Sequence, residues 1–157
     1  MSTATPATRF LIQNSLDFEV LEYDYAPGKD RVGLQAAEAI GMPPQLVYKT
    51  LMIEVDGAPA CVVIPSDQTV SMKKAAAAFG GKSAKMMEQP KAERLTGYRT
   101  GGISPFGQKK RVPIAVHKAV ELTDLVVING GKRGMMLRLN LPEAAQKLGT
   151  KFCALCA

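Results

Sequence analysis

Tryptophan is absent from this 157-residue sequence, histidine occurs once and cysteine three times. With His117 alone, a Ser-His-Asp triad would need both partners gathered across the fold, so His117, in an alternating β-type stretch, reads as a half-buried structural residue. Cys153 and Cys156 form a C-x-x-C pair. A four-ligand zinc site would have only Cys61 and His117 left to complete it, so buried inert thiols are the simpler reading and no metal is expected. Neither a Walker loop nor G-x-G-x-x-G occurs, and no cofactor is expected. No run of eighteen apolar residues is present and the N-terminus has no charged-then-apolar leader pattern, which predicts a cytoplasmic protein without membrane contact. The four Tyr and five Phe are not interleaved with basic clusters, which excludes a platform for stacking single-stranded bases.

What is present is ordinary for a globular protein: 46% hydrophobic and 22% charged residues. That balance excludes a largely disordered protein and predicts a single domain over residues 1–157. The formal charge of +6 is concentrated at Lys73-Lys74, Lys109-Lys110-Arg111 and Lys132-Arg133. Such bunching favours a polyanionic partner such as RNA, against the plain alternative of solubility.

Thr5-Pro6 opens a short helix, and Phe18 to Tyr25 reads as a strand ending at Pro27-Gly28. Gly33 to Ile40 is helical in composition. Thr50–Val55 and Cys61–Ile64 are β-branched and apolar around an Asp56-Gly57 turn signal, which predicts an antiparallel hairpin. Ser71 caps a helix over 72–79, Pro90 to Leu95 forms another, and Leu141-Pro142 opens a last one through Leu148. Val112–Val120, Leu125–Ile128 and Met135–Leu139 complete the strands. Strands and helices do not alternate regularly, so the expected class is α+β, with a curved, mixed, mainly antiparallel sheet flanked by short helices.

Two glycine pairs adjoin basic clusters: Gly101-Gly102-Ile103-Ser104-Pro105-Phe106-Gly107-Gln108-Lys109-Lys110-Arg111, and Asn129-Gly130-Gly131-Lys132-Arg133-Gly134. Paired glycines reach positive φ and expose backbone N–H groups, so each run could cradle an oxygen-rich or anionic ligand; tight turns with solvated lysines are the bland alternative. Lys49 opens an apolar strand. There its ammonium either polarises a carbonyl or holds a phosphate at a concave surface, or snorkels into solvent.

Val47-Tyr48-Lys49-Thr50-Leu51, the Gly101 to Arg111 run and Gly130-Gly131-Lys132-Arg133-Gly134, in this order over nearly the whole sequence, resemble the YbaK/EbsC family. The resemblance implies a fold like the editing domain of prolyl-tRNA synthetase. It also implies a trans-editing hydrolase that deacylates misacylated tRNA, Cys-tRNA(Pro) or tRNA(Pro) carrying another small amino acid; a non-catalytic tRNA-binding module is the alternative. Lys49 then matches the family's essential lysine, and Gly101 and Gly102 would present N–H groups to the developing oxyanion. Tyr23, Thr50, Ile103, Ser104, Asn129, Gly130, Gly131 and Met136 would bind the aminoacyl end, and Lys109, Lys110, Arg111, Lys132 and Arg133 the tRNA body. Association with prolyl-tRNA synthetase is the implied source of tRNA specificity. Cysteine-deacylating members carry an acidic residue where this sequence has Met136 and a serine in place of Asn129, which implies a preference for another small residue such as alanine.

Overall fold

The N-terminal helix forms because Thr5 caps it from both sides: its hydroxyl accepts from the Thr8 N–H at 3.1 Å, while the Thr8 hydroxyl accepts from the Thr5 N–H at 2.9 Å. This is α1 (Pro6–Gln13), the first element of a computed structural model that describes residues 3–26 and 32–157. The expected first strand is shorter than its β-type residues suggested. As β1 it spans only Glu19–Glu22, because its partner β7 (Met135–Leu139) pairs with those four residues alone; the Pro27-Gly28 stop lies outside the described residues. Helix α2 spans Val32–Ile40.

The predicted hairpin is the spine of the molecule. Asp56 and Gly57 both take positive φ, 49° and 85°, the primed turn whose twist suits adjoining strands. It joins β2 (Tyr48–Val55) to β3 (Ala58–Pro65) in full antiparallel register. Beyond β3 run β5 (Ile114–His117) and β8 (Lys151–Cys153), both parallel to their neighbours. On the other side, β4 (Ala84–Met86) pairs antiparallel with β2, giving the order β4-β2-β3-β5-β8. A second sheet has the order β1-β7-β6, with β6 covering Val126–Lys132. The expected single curved sheet is thus split in two, bridged where Val47 meets Val127 in parallel.

That split positions the site. Along its outer edge β2 meets β6 at Val47 and β4 from Ile53 to Val55, with the Met87 N–H donating to the Met52 carbonyl at 3.1 Å. Between those contacts, no strand pairs with the outer edge of residues 48–51 among the described residues.

The inner faces of both sheets meet in the main core, where Met52, Cys61, Val63 and Val116 face Val126, Ile128, Leu137 and Leu139 and are closed by Leu11 of α1 and Leu141 of α5 (Leu141–Gln146). Behind the larger sheet, α3 (Met72–Ala78) presses Ala75 and Ala76 onto Ile53, Val62 and Ile64. A smaller cluster sets Ala36 and Ala37 of α2 against Val47, Val127 and Met136. Helix α4 (Gln89–Thr96) ends at Gly97 in the left-handed conformation, as its sequence requires. The expected strand over Val112–Val120 keeps only its middle, since residues 118–122 turn into a 3-10 helix.

Candidate active site

The gap in the β2 edge opens into a cavity of about 500 Å³. Five consecutive residues of β2, Tyr48 to Met52, line it. Successive strand side chains point to opposite faces, so a cavity touching all five wraps the edge of the strand rather than lying on one face. Met86, Met87, Gln89 and Ala92 form one wall, Thr100, Gly101 and Ile103 another, and Asn129 and Met136 the third, with Gly33, Ser66, Gln68 and Thr69 at the start of β2.

Its polar atoms are few. Lys49 Nζ approaches the Ser66 carbonyl at 3.4 Å. The Thr50 hydroxyl is buried and, among the described residues, has no hydrogen-bond partner. A buried hydroxyl without a partner costs stability, and Thr50 bears that cost at the wall of the cavity. Gly101 sits at φ 91°, and among the described residues its N–H has no hydrogen-bond partner. A Cβ there would stand 2.9 Å from the Tyr25 hydroxyl, so glycine is required for conformation and for space.

Asn129 holds this corner together. Its amide nitrogen donates to the Gly101 carbonyl at 3.2 Å and its oxygen accepts from the Gly131 N–H at 2.7 Å, tying the two glycine runs to each other. The same nitrogen lies 3.9 Å from Met136 Sδ. Arg133 closes the rim: its Nε donates to the Thr100 carbonyl at 2.8 Å and its guanidinium lies over the Tyr25 ring at 5.1 Å. Glu93 accepts from the Thr100 N–H at 2.8 Å, and that bond is the main reason its carboxyl is held below its usual range.

Of the expected site residues, Lys49, Thr50, Gly101, Ile103, Asn129 and Met136 therefore meet in one cavity. Gly102 does not serve as an oxyanion donor, because its N–H already donates to the Arg99 carbonyl at 2.8 Å. It is glycine for a steric reason, since a Cβ would stand 2.8 Å from the Arg133 nitrogen and 2.9 Å from Lys132 backbone atoms. Gly130 and Gly131 lie off the cavity at the β6 bulge, where the Gly130 carbonyl accepts from the Thr5 hydroxyl at 2.6 Å and Gly131 backs onto Tyr98. Ser104 is fully buried, its hydroxyl accepting from the Phe106 N–H at 3.1 Å. Tyr23 packs in the cluster behind Met136, and burial pushes its phenol up.

Lys109, Lys110 and Arg111 stand apart from the cavity. The first two hang by their N–H groups from the Thr96 and Leu95 carbonyls at the end of α4, and Arg111 lines a separate shallow groove with Lys147. Lys132 ends β6, and Arg133 sits in the turn to β7. Sequence reasoning missed Thr100, although it immediately precedes Gly101, and missed the methionine wall at Met86 and Met87.

The remaining candidates, His117 and the three cysteines, do not line the cavity. His117 Nδ1 accepts from the Leu155 N–H at 3.1 Å, and burial, followed by Lys118 and Lys74, holds its pKa below the usual value. Burial pushes the Cys61 thiol up to about 12 and raises Cys153 and Cys156. No cluster of three or more potential metal ligands occurs, and no helix is long and apolar enough to cross a membrane, among the described residues.

Comparison with known proteins converges on one family. EbsC of Enterococcus faecalis, assigned as a Cys-tRNA(Pro)/Cys-tRNA(Cys) deacylase, is 33% identical over 146 residues, 92% of this protein and 87% of that one. A proline–tRNA ligase of Maridesulfovibrio salexigens is 28% identical over 108 residues, 69% of this protein but 18% of the ligase. The crystal structure of a protein assigned as a trans-editing enzyme for prolyl tRNA synthetase superposes with a TM-score of 0.84 over 100% of this protein and 98% of that one, at 20% identity. The aminoacyl-tRNA editing domain model matches residues 30–147, a span that contains all the described residues lining the cavity, and the protein belongs to the aminoacyl-tRNA editing domain family.

Proposed function

We propose that the cavity receives the 3′ end of a misacylated tRNA and that the protein hydrolyses the aminoacyl ester in trans. The observation that carries this reading is the meeting of Lys49, the buried Thr50 hydroxyl and Gly101 in one cavity with a methionine wall. Attack on the ester carbonyl moves negative charge onto its oxygen. Lys49 and the Gly101 N–H are the groups that receive it, and a fixed donor of this kind is worth about 3 kcal/mol. Among the described residues no histidine, cysteine or carboxylate lines the cavity, and in this reading the protein supplies position and electrostatics while the nucleophile is water or a group of the substrate itself.

Met136 makes the wall beside Asn129 apolar, where an acidic residue would bind a polar substrate group. This supports a small apolar aminoacyl group, alanine before cysteine, on tRNA(Pro). Arg133 at the rim and the Lys109–Arg111 stretch at the end of α4 supply sequence-independent phosphate contacts. Prolyl-tRNA synthetase is the partner that would supply tRNA identity.

The test is deacylation of tRNA(Pro) charged separately with cysteine, alanine and proline, by wild type and Lys49→Ala. The reading expects wild type to clear one misacylated species and Lys49→Ala to lose at least about a hundredfold in kcat/KM while still binding tRNA. Bound tRNA with no turnover of any species would leave a non-catalytic tRNA-binding module instead.

A further inference from the structure

The peptide that carries the Gly101 N–H is the middle of a tight turn. The Gly102 N–H donates to the Arg99 carbonyl at 2.8 Å, and Gly101 stands at φ 91° while Thr100 keeps a negative φ. That combination is a type II turn with glycine at its third position. A type I turn keeps the same closing hydrogen bond and nearly the same outer dihedrals, and differs by rotating its central peptide through about 180°. Glycine takes either sign of φ about equally readily. The Thr100–Gly101 peptide is therefore a two-position element whose direction is decided by its contacts.

The outer peptides of the turn are held alike in both positions. Glu93 accepts from the Thr100 N–H at 2.8 Å, and the Gly101 carbonyl accepts from the Asn129 amide at 3.2 Å. The contact that tells the two positions apart is the one from Arg133, whose Nε donates to the Thr100 carbonyl at 2.8 Å while its guanidinium lies over the Tyr25 ring. Across a trans peptide the C=O and N–H groups point to opposite sides. Thr100 and Gly101 line the cavity and Arg133 does not, so drawing the carbonyl toward Arg133 turns the Gly101 N–H toward the cavity. The type I position would put the Thr100 oxygen there instead, a negative dipole end where the ester oxygen gathers negative charge.

We propose that Arg133 is a positioning residue: it locks the Thr100–Gly101 peptide with the Gly101 N–H facing the cavity and so sets the donor that receives the ester oxyanion. This rests on the cavity being the deacylation site, as proposed above. A hydrogen bond from a charged donor shifts the balance of two such positions by about tenfold to a hundredfold. The lock is separable from a phosphate contact at the same residue. Binding a phosphate needs the charge, which lysine also carries, whereas the lock needs a planar guanidinium that lies on Tyr25 and donates from Nε, which lysine lacks.

The experiment compares intact wild type, Arg133→Lys and Arg133→Ala in two readouts. In the substrate-free protein, the NMR couplings between the Gly101 amide proton and its two α protons report φ. Wild type is expected near the 91° of the type II turn, and both variants are expected to move toward the negative φ of type I. With tRNA(Pro) charged with alanine, or with cysteine if wild type prefers it, Arg133→Lys is expected to lose about tenfold or more in kcat with KM nearly unchanged. Arg133→Ala should lose as much in kcat and raise KM besides, since the charge is gone as well. A raised KM in Arg133→Lys with kcat and φ unchanged would overturn the proposal, leaving the deacylase standing and Arg133 a phosphate contact. A fallen kcat with Gly101 still at positive φ would also overturn it, because Arg133 would then act other than through the turn. A moved φ with wild-type kcat would remove the Gly101 N–H as the donor and overturn it too. A wild type that clears neither ester would overturn the deacylase reading and the donor role together.

Discussion

Thr50 shows how a residue can be retained against stability. Its hydroxyl is buried and, among the described residues, partnerless. Replacing the hydroxyl with a methyl group removes a desolvation cost, so Thr50→Val is expected to hold or raise the thermal midpoint. The same change should lower kcat/KM for deacylation by about tenfold, the worth of one hydrogen bond to substrate. Calorimetry and steady-state kinetics on one preparation check both, and a loss of stability together with activity would make Thr50 merely structural. Met136 invites the opposite experiment. It is buried beside Asn129 in a cavity that no carboxylate lines among the described residues. Met136→Asp places an acceptor within reach of polar substrate groups and is expected to change the ranking of cysteine against alanine. An unchanged ranking would remove Met136 from the specificity wall.

At the scale of elements, the two glycine runs look alike in sequence yet do different work. Gly102 lies against the Lys132 and Arg133 backbone, where even a methyl group has no room. Gly102→Ala must push the runs apart, which is expected to cost about 1–3 kcal/mol in denaturant unfolding and to loosen Gly101 with it. That these stretches turn tightly was legible from their glycine pairs, and in the fold Asn129 ties one run to the other. Which N–H remains available was not, since a turn to Arg99 and a bulge toward Thr5 depend on how the folded backbone closes on itself. The hairpin was legible from Asp56-Gly57 and its flanking alternation. Strands β4 and β8 were not, for Ala84-Lys85-Met86 and Lys151-Phe152-Cys153 are strands only by virtue of the neighbours they pair with. The β5–β8 seam also carries the histidine. Because its folded-state pKa lies below the unfolded value, His117 contributes stability that is complete above the unfolded pKa and is lost as pH falls through the folded one. The wild-type thermal midpoint is therefore expected to drop on acidification below about pH 6.5. His117→Gln should flatten that part of the profile, and an unaltered slope would place the acid sensitivity elsewhere.

Across the whole molecule, the charge that composition reports as a single number is spread over separate clusters, two of which bear on the cavity. Arg133 is held at the cavity rim, whereas Lys109, Lys110 and Arg111 are exposed at the far end of α4. The eight residues of that helix span roughly 12 Å, so a nucleic acid whose end enters the cavity past Gln89 would run its backbone along α4 toward that second cluster. Phosphate contacts so far from the ester hold substrate and transition state equally, and their loss should appear in KM and not in kcat. Reversing all three charges, Lys109→Glu with Lys110→Glu and Arg111→Glu, is expected to raise KM about tenfold or more with kcat nearly unchanged. The slope of log kcat/KM against log salt should become shallower by about one for each contact removed. A triple variant with wild-type KM and wild-type salt slope would move the tRNA body off this face, leaving the Arg133 side of the cavity as its approach.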